Sequence, residues 1–83
     1  MIAIDTNILV YAHREDSPWH EQALEQVTHL ANSGNPWAIP WSSVHEFLAI
    51  VTHPKIYNPP TPLANALESM RAWQESPGLR LLG

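Results

Sequence analysis

Three short apolar runs, Ile2-Ala3-Ile4, Trp37-Ala38-Ile39-Pro40 and Leu79-Arg80-Leu81-Leu82, alternate with amphipathic stretches that open on cap residues. That alternation constrains the fold most, because strands and helices in turn imply a parallel sheet joined by right-handed crossovers. Asp5, Thr6 and Asn7 are all helix N-cap types, and Ile8-Leu9-Val10-Tyr11-Ala12 follows them as a short buried helix. His13-Arg14-Glu15-Asp16 reads as a polar loop. Ser17-Pro18 then opens a second helix, with Ser as N-cap and Pro in the first turn. Ala23, Leu24, Val27, Leu30 and Ala31 make its apolar stripe, and Asn32 to Pro36 stop it, with Gly34 suited to the C-terminal cap.

After the second apolar run, Ser42-Ser43 is expected to cap a third helix whose inward stripe is Val44, Phe47, Leu48 and Val51. His53-Pro54 ends it, and Tyr57-Asn58-Pro59-Pro60 is a rigid loop. Thr61-Pro62 repeats the cap-then-Pro signal ahead of a fourth helix lined by Leu63, Ala66, Leu67, Met70 and Trp73. Ser76-Pro77-Gly78 breaks it before the third strand. The expected fold is therefore α/β, a three-stranded parallel sheet with flanking helices in one domain over residues 1–83. A parallel strand at Leu79–Leu82 that closes the chain leaves one sheet face without its usual helix, which marks the domain as partial.

Composition narrows the function classes. The chain has 83 residues, a formal net charge of −4 and no cysteine. Without cysteine there is no disulfide scaffold, no thiolate zinc site and no Cys nucleophile. The four basic residues are scattered at Arg14, Lys55, Arg71 and Arg80, so no basic patch signals nucleic-acid binding by charge. Charged residues make up 14%, below the roughly 25% usual for soluble domains, so part of the surface is expected to be covered, by further helices, a second copy or a partner. The N-terminus lacks the pattern of a signal peptide, and no apolar run approaches a membrane span of about eighteen residues. A cytoplasmic protein without membrane attachment is the expectation.

Two acids stand where chemistry is plausible on topology. Asp5 lies at the carboxyl end of the first strand, where open α/β sheets place ligands, although an N-cap role explains it equally well. Glu46 belongs to Ser43-Val44-His45-Glu46, which fits the S-x-x-E capping box, and it is expected in the first turn of the third helix on the same sheet edge. Two bare carboxylates about 4 Å apart would repel by about 4 kcal/mol at an effective dielectric of 20. A pair held that close needs a proton or a cation, and hard oxygen donors suit Mg²⁺ or Mn²⁺. Thr6 and Asn7 read as capping and turn residues.

The histidines argue against zinc. His45-Glu46 begins like H-E-x-x-H, but Ala49 takes the second His position, and His13, His20, His29 and His53 fall on separate elements. They are expected to be solvated or packing residues. The tryptophans are expected in the core or at an interface, with base stacking by Trp37 or Trp41 as the alternative. Arg14 is expected in a loop near the Asp5 edge, as a solvated side chain or a phosphate contact.

The segment Ile2-Ala3-Ile4-Asp5-Thr6-Asn7-Ile8-Leu9-Val10-Tyr11-Ala12 resembles the opening motif of PIN domains, in particular VapC-type toxins of toxin–antitoxin pairs. Ser42-Ser43-Val44-His45-Glu46-Phe47-Leu48 resembles that family's second acidic motif. The resemblance implies a Mg²⁺- or Mn²⁺-dependent endoribonuclease in which Asp5 and Glu46 are catalytic, metal-liganding acids. Thr6 would stand beside the site and Asn7 would hold the strand–helix turn. It also implies an RNA substrate, an antitoxin partner and a homodimer. The family completes its acidic cluster with two acids beyond the third strand. Glu68 and Glu75 precede that strand and are poor substitutes. The activity is thus expected of a longer parent, and the 83-residue chain alone should be nearly inactive.

Two other readings stand beside this one. A non-catalytic assembly module would keep only the surfaces for self-association or an antitoxin. A phosphotransferase of the haloacid-dehalogenase type also begins with a strand ending in Asp, but it needs a second Asp where Asn7 stands. A receiver-like phosphoacceptor lacks the paired acids it would require.

Overall fold

The structure is a computed structural model that describes residues 1–83. Its elements run β1 (Ile2–Ala3), α1 (Thr6–His13), α2 (His20–Asn32), β2 (Trp37–Pro40), α3 (Trp41–Val51), α4 (Leu63–Gln74) and β3 (Leu79–Leu82). The strands form one sheet in the order β1-β2-β3, parallel throughout, with Ala3 paired to Ala38 and Ala38 to Arg80. The expected α/β architecture is the one observed. No helix is long and apolar enough to cross a membrane.

Side-chain alternation divides the sheet. Ile4, Trp37 and Ile39 belong to the core, and Leu79 and Leu81 pack against it. Ala3, Arg80 and Leu82, at the intervening positions, are exposed. Parallel sheets are normally covered on both faces. Here only the central strand is, with Trp37, Ala38 and Ile39 all fully buried. The partly bare sheet expected from the sequence is thus present.

Trp37 ties the sheet to the helices. Its indole N–H donates to the Ser76 hydroxyl at 3.0 Å, and that hydroxyl donates to the Ala31 carbonyl at 3.0 Å. The Trp37 amide donates to the Gly78 carbonyl at 2.9 Å. Gly78 is required there, because an added Cβ would run into the Asn35 carbonyl oxygen. These bonds fix the entry to β3 against the end of α2. They also rule out base stacking by Trp37.

The helix stripes fall as the periodicity predicts, but they bury less than expected. Val44, Phe47 and Val51 of α3 are buried with Ser43, whereas α2 buries only Ala23 and Val27 and α4 only Ala66 and Met70. Leu24, Leu63 and Leu67 are exposed by 42%, 57% and 46%. A three-stranded sheet is too narrow to cover the full width of such stripes.

One helix boundary and three cap assignments need correction. The Asp5 cap holds α1 as far as His13, so His13 is helical rather than part of the loop. Ser17 does not start α2; its hydroxyl accepts from the Trp19 amide, and the helix begins at His20. β2 runs directly into α3 at Trp41, which makes Ser42 and Ser43 interior helical residues rather than caps. Thr61 does not cap α4 either; its buried hydroxyl is bonded to side chains of the α1 end instead.

Candidate acidic site

The site is built by two adjacent parallel strands that end at the same sheet edge, each followed by a helix. The Ile4 amide donates to the Ala38 carbonyl at 2.9 Å, so the β1–β2 ladder reaches the residue before Asp5. Asp5 is extended (φ −84°, ψ 171°) and caps α1, its Oδ1 accepting the Ile8 amide at 3.1 Å. A carboxylate also suits the positive end of the helix dipole there. The cap leaves Oδ2 without a protein partner, on an exposed residue. Asp5 therefore fixes the turn with one oxygen and leaves the other unpaired.

Glu46 is the sixth residue of α3, in the second turn rather than the first, and it takes no part in a capping box. Its Oε2 instead accepts from the Thr6 hydroxyl at 3.3 Å. That bond joins α3 to the residue beside Asp5. Asn7 is exposed and its side chain makes no hydrogen bond; the turn is held by the Asp5 carboxylate. Trp41 and His45 lie on the same helix, with ring centroids 6.3 Å apart and both residues exposed.

No three His, Cys, Asp or Glu side chains converge as a ready metal cage. Asp5 and Glu46 each keep a carboxylate oxygen without a protein partner, and Glu46 is bonded to the residue next to Asp5, a donor set of the kind a hydrated hard cation takes. Mg²⁺ commonly takes one or two carboxylates and keeps its other ligands as water or phosphate oxygen.

A second polar cluster lies at the other end of α1, about 12 Å away along the helix. Arg14 caps that end and is neither solvated nor near Asp5; its side chain is only 11% exposed. Its guanidinium donates to both carboxylate oxygens of Asp16 (3.0 and 2.6 Å), to the Pro59 carbonyl (2.9 Å) and to the Thr61 hydroxyl (3.1 Å). It also sits 4.3 Å over the Tyr57 ring. The hydrogen bond from Arg14 holds the Asp16 carboxyl below the usual carboxylate range, and burial pushes the Tyr57 hydroxyl up.

His13 completes this cluster. Its Nδ1 lies 2.7 Å from the Ser69 hydroxyl and its Nε2 3.1 Å from that of Thr61, while its ring meets Phe47 edge-on at 5.4 Å. His20 donates from Nδ1 to the Tyr11 carbonyl at 2.9 Å. These two histidines are packing residues, as expected. The cluster itself was not visible in the sequence. Its only trace is a His-Arg pair in the polar loop expected after the first helix, because Thr61 and Ser69 are brought in by tertiary packing.

The three-stranded parallel sheet with its flanking helices is consistent with a PIN-like α/β fold. Comparison with known proteins agrees. Ribonuclease VapC43 of Mycobacterium tuberculosis (strain H37Rv) is 32% identical over 77 residues, covering 93% of this chain and 52% of the relative. Ribonuclease VapC25 of the same strain is 32% identical over 80 residues, covering 93% and 54%. Ribonuclease VapC33 is 29% identical over 82 residues, covering 99% and 57%. No family model matches the chain. The resemblance to VapC-type PIN proteins therefore holds over nearly the whole sequence. The chain spans about half the length of the curated relatives it matches.

Proposed function

We propose that this chain carries the first half of the catalytic apparatus of a VapC-type endoribonuclease, with Asp5 and Glu46 as ligands of Mg²⁺ or Mn²⁺. One observation supports this reading above the others: the Thr6 hydroxyl couples Glu46 to the Asp5 turn, so two carboxylates share one sheet edge. Asp5 Oδ1 stays with the Ile8 amide and keeps the turn rigid, while Oδ2 has no protein partner. Thr6 orients Glu46, and Asn7 stays at the exposed start of α1. When bound, the cation neutralises phosphodiester charge and lowers the pKa of a bound water. Two carboxylates hold such an ion weakly, so in this reading the 83-residue chain alone has little activity. RNA is the substrate in this reading, an antitoxin the regulatory partner, and the protein acts as a cytoplasmic homodimer.

A second reading rests on the exposed apolar surface. Leu63 and Leu67 lie one turn apart on α4, and Leu82 lies on the uncovered sheet face. A chain used only for assembly would keep these surfaces and dispense with the acids. Cleavage of a structured RNA by the relatives-length protein separates the two. The nuclease reading expects product in Mg²⁺ or Mn²⁺, none after chelation, and recovery when the metal is restored. A chelator-insensitive rate contradicts it, and a dimer that cleaves nothing in either metal supports the assembly module.

A further inference from the structure

Residues 52–62, between α3 and α4, are held to the rest of the protein by side chains. The backbone bonds that the segment makes are local; besides those that close α3 and open α4, they run from Thr61 to Val51 (2.7 Å) and from Ile56 and Tyr57 to His53 (3.1 Å each). None reaches α1 or the sheet. Apart from Tyr57, which also packs against the hydrophobic core, the tertiary attachments come from two consecutive residues at the end of α1. Arg14 grips the Pro59 carbonyl, the Thr61 hydroxyl and the Tyr57 ring, and His13 grips Thr61 together with Ser69 of α4.

Beside this joint runs an open cleft of about 380 Å³, lined among others by His13, Arg14, Glu15, Asp16 and Thr61. His13, Arg14, Asp16 and Thr61 within it are already bonded to one another or to their neighbours, and the opening admits water and protons to the joint. From these contacts we propose that His13 is a proton-operated latch that holds residues 52–62 and the start of α4 against α1, and releases them when its ring is protonated.

Hydrogen-bond directions explain the release. The Thr61 oxygen already accepts an N–H from Arg14. The arrangement that uses every proton has Thr61 donate its own to a bare His13 Nε2, while Nδ1–H donates to Ser69. A second proton on the ring forces Nε2 to become a donor. Thr61 must then turn its proton away and accept from two adjacent cations. The repulsion between them acts on the one residue that both hold.

The charges around the ring set the working range. The region between α1 and α2 presents Arg14, Glu15 and Asp16, α2 presents His20, and the loop presents Tyr57. α3 and α4 face the ring with Phe47 and Ser69. Burial first, then the Arg14 charge, then His20, hold the His13 pKa below its ordinary 6.5. Asp16 is taken up by Arg14 and offsets little of this. A depressed pKa in the closed state means that the latch contributes fully above about 6.5 and weakens as pH falls through the closed-state value.

Amide hydrogen exchange across residues 52–67, corrected for the intrinsic pH effect, tests the latch between pH 7.5 and 5.5. Opening should rise as pH falls, at its limit by about tenfold for each unit by which the closed-state pKa is depressed. In the His13→Gln variant, which keeps a neutral hydrogen-bonding group, exchange should not respond to pH in this range. The same pH response in both proteins would overturn the proposal. Should the variant not fold, the NMR titration of the His13 ring in the unaltered protein decides. A ring midpoint below 6.5 that the loop amides share is the expected result. A midpoint at or above 6.5, or loop amides that follow only the carboxylates at lower pH, overturns the proposal.

Discussion

Replacing Phe47 with alanine is expected to cost about 3–5 kcal/mol of stability, the usual penalty for emptying a fully buried aromatic site. Phe47 is fully buried, and it meets His13 at 5.4 Å and Trp73 at 5.2 Å, both in edge-on geometry. The cavity would therefore open between α1, α3 and α4, and neither neighbouring ring can move in without leaving another contact. Domains of this size have a total stability of only about 4–12 kcal/mol at 0.05–0.15 kcal/mol per residue. A large part of the native population should be lost. Urea unfolding followed by tryptophan fluorescence measures it, with Phe47→Leu losing less than half as much. An alanine variant within about 1 kcal/mol of the parent would show that Phe47 is not central to the core.

The second large effect concerns activity. Asp5→Asn preserves the cap, because asparagine and aspartate are comparable N-cap residues, and stability should change little. RNA cleavage by the relatives-length protein should nevertheless fall by at least about a hundredfold. Substitutions that only support a metal ligand already cost about 10–100-fold, and loss of a ligand itself should cost more. Asp5→Ala adds the loss of the cap, about 1 kcal/mol, to the same catalytic defect. The two variants thus separate the structural duty of Oδ1 from the proposed duty of Oδ2. Equal cleavage by Asp5→Asn and its parent would remove Asp5 from the chemistry.

The strand–helix alternation was legible because each apolar run is bounded by turn residues, and the parallel order follows from crossover geometry. The shared edge of Asp5 and Glu46 was legible for the same reason. Successive parallel strands end on one side of the sheet, and here Ala3 pairs with Ala38. Local cap grammar was less dependable where tertiary structure supplied another partner. Ser43 to Glu46 reads as a capping box only if a loop precedes Ser43. β2 leads into α3 without one, so Glu46 is free to meet Thr6. Thr61 likewise has a sequence suited to capping, yet His13 and Arg14 bind its hydroxyl. Arg14 was placed at the wrong end of α1 because its partners, Pro59 and Thr61, are more than forty residues away in the chain. No local pattern encodes contacts of that range.

The central claim is that Asp5 and Glu46 share one divalent cation, and Mn²⁺ titration observed by NMR tests it most directly. Paramagnetic broadening should begin at Asp5, Thr6 and Glu46 together, saturate as a single site, and disappear in Asp5→Asn. Broadening that begins at exposed histidines such as His29 or His53, or that persists unchanged in Asp5→Asn, would contradict it.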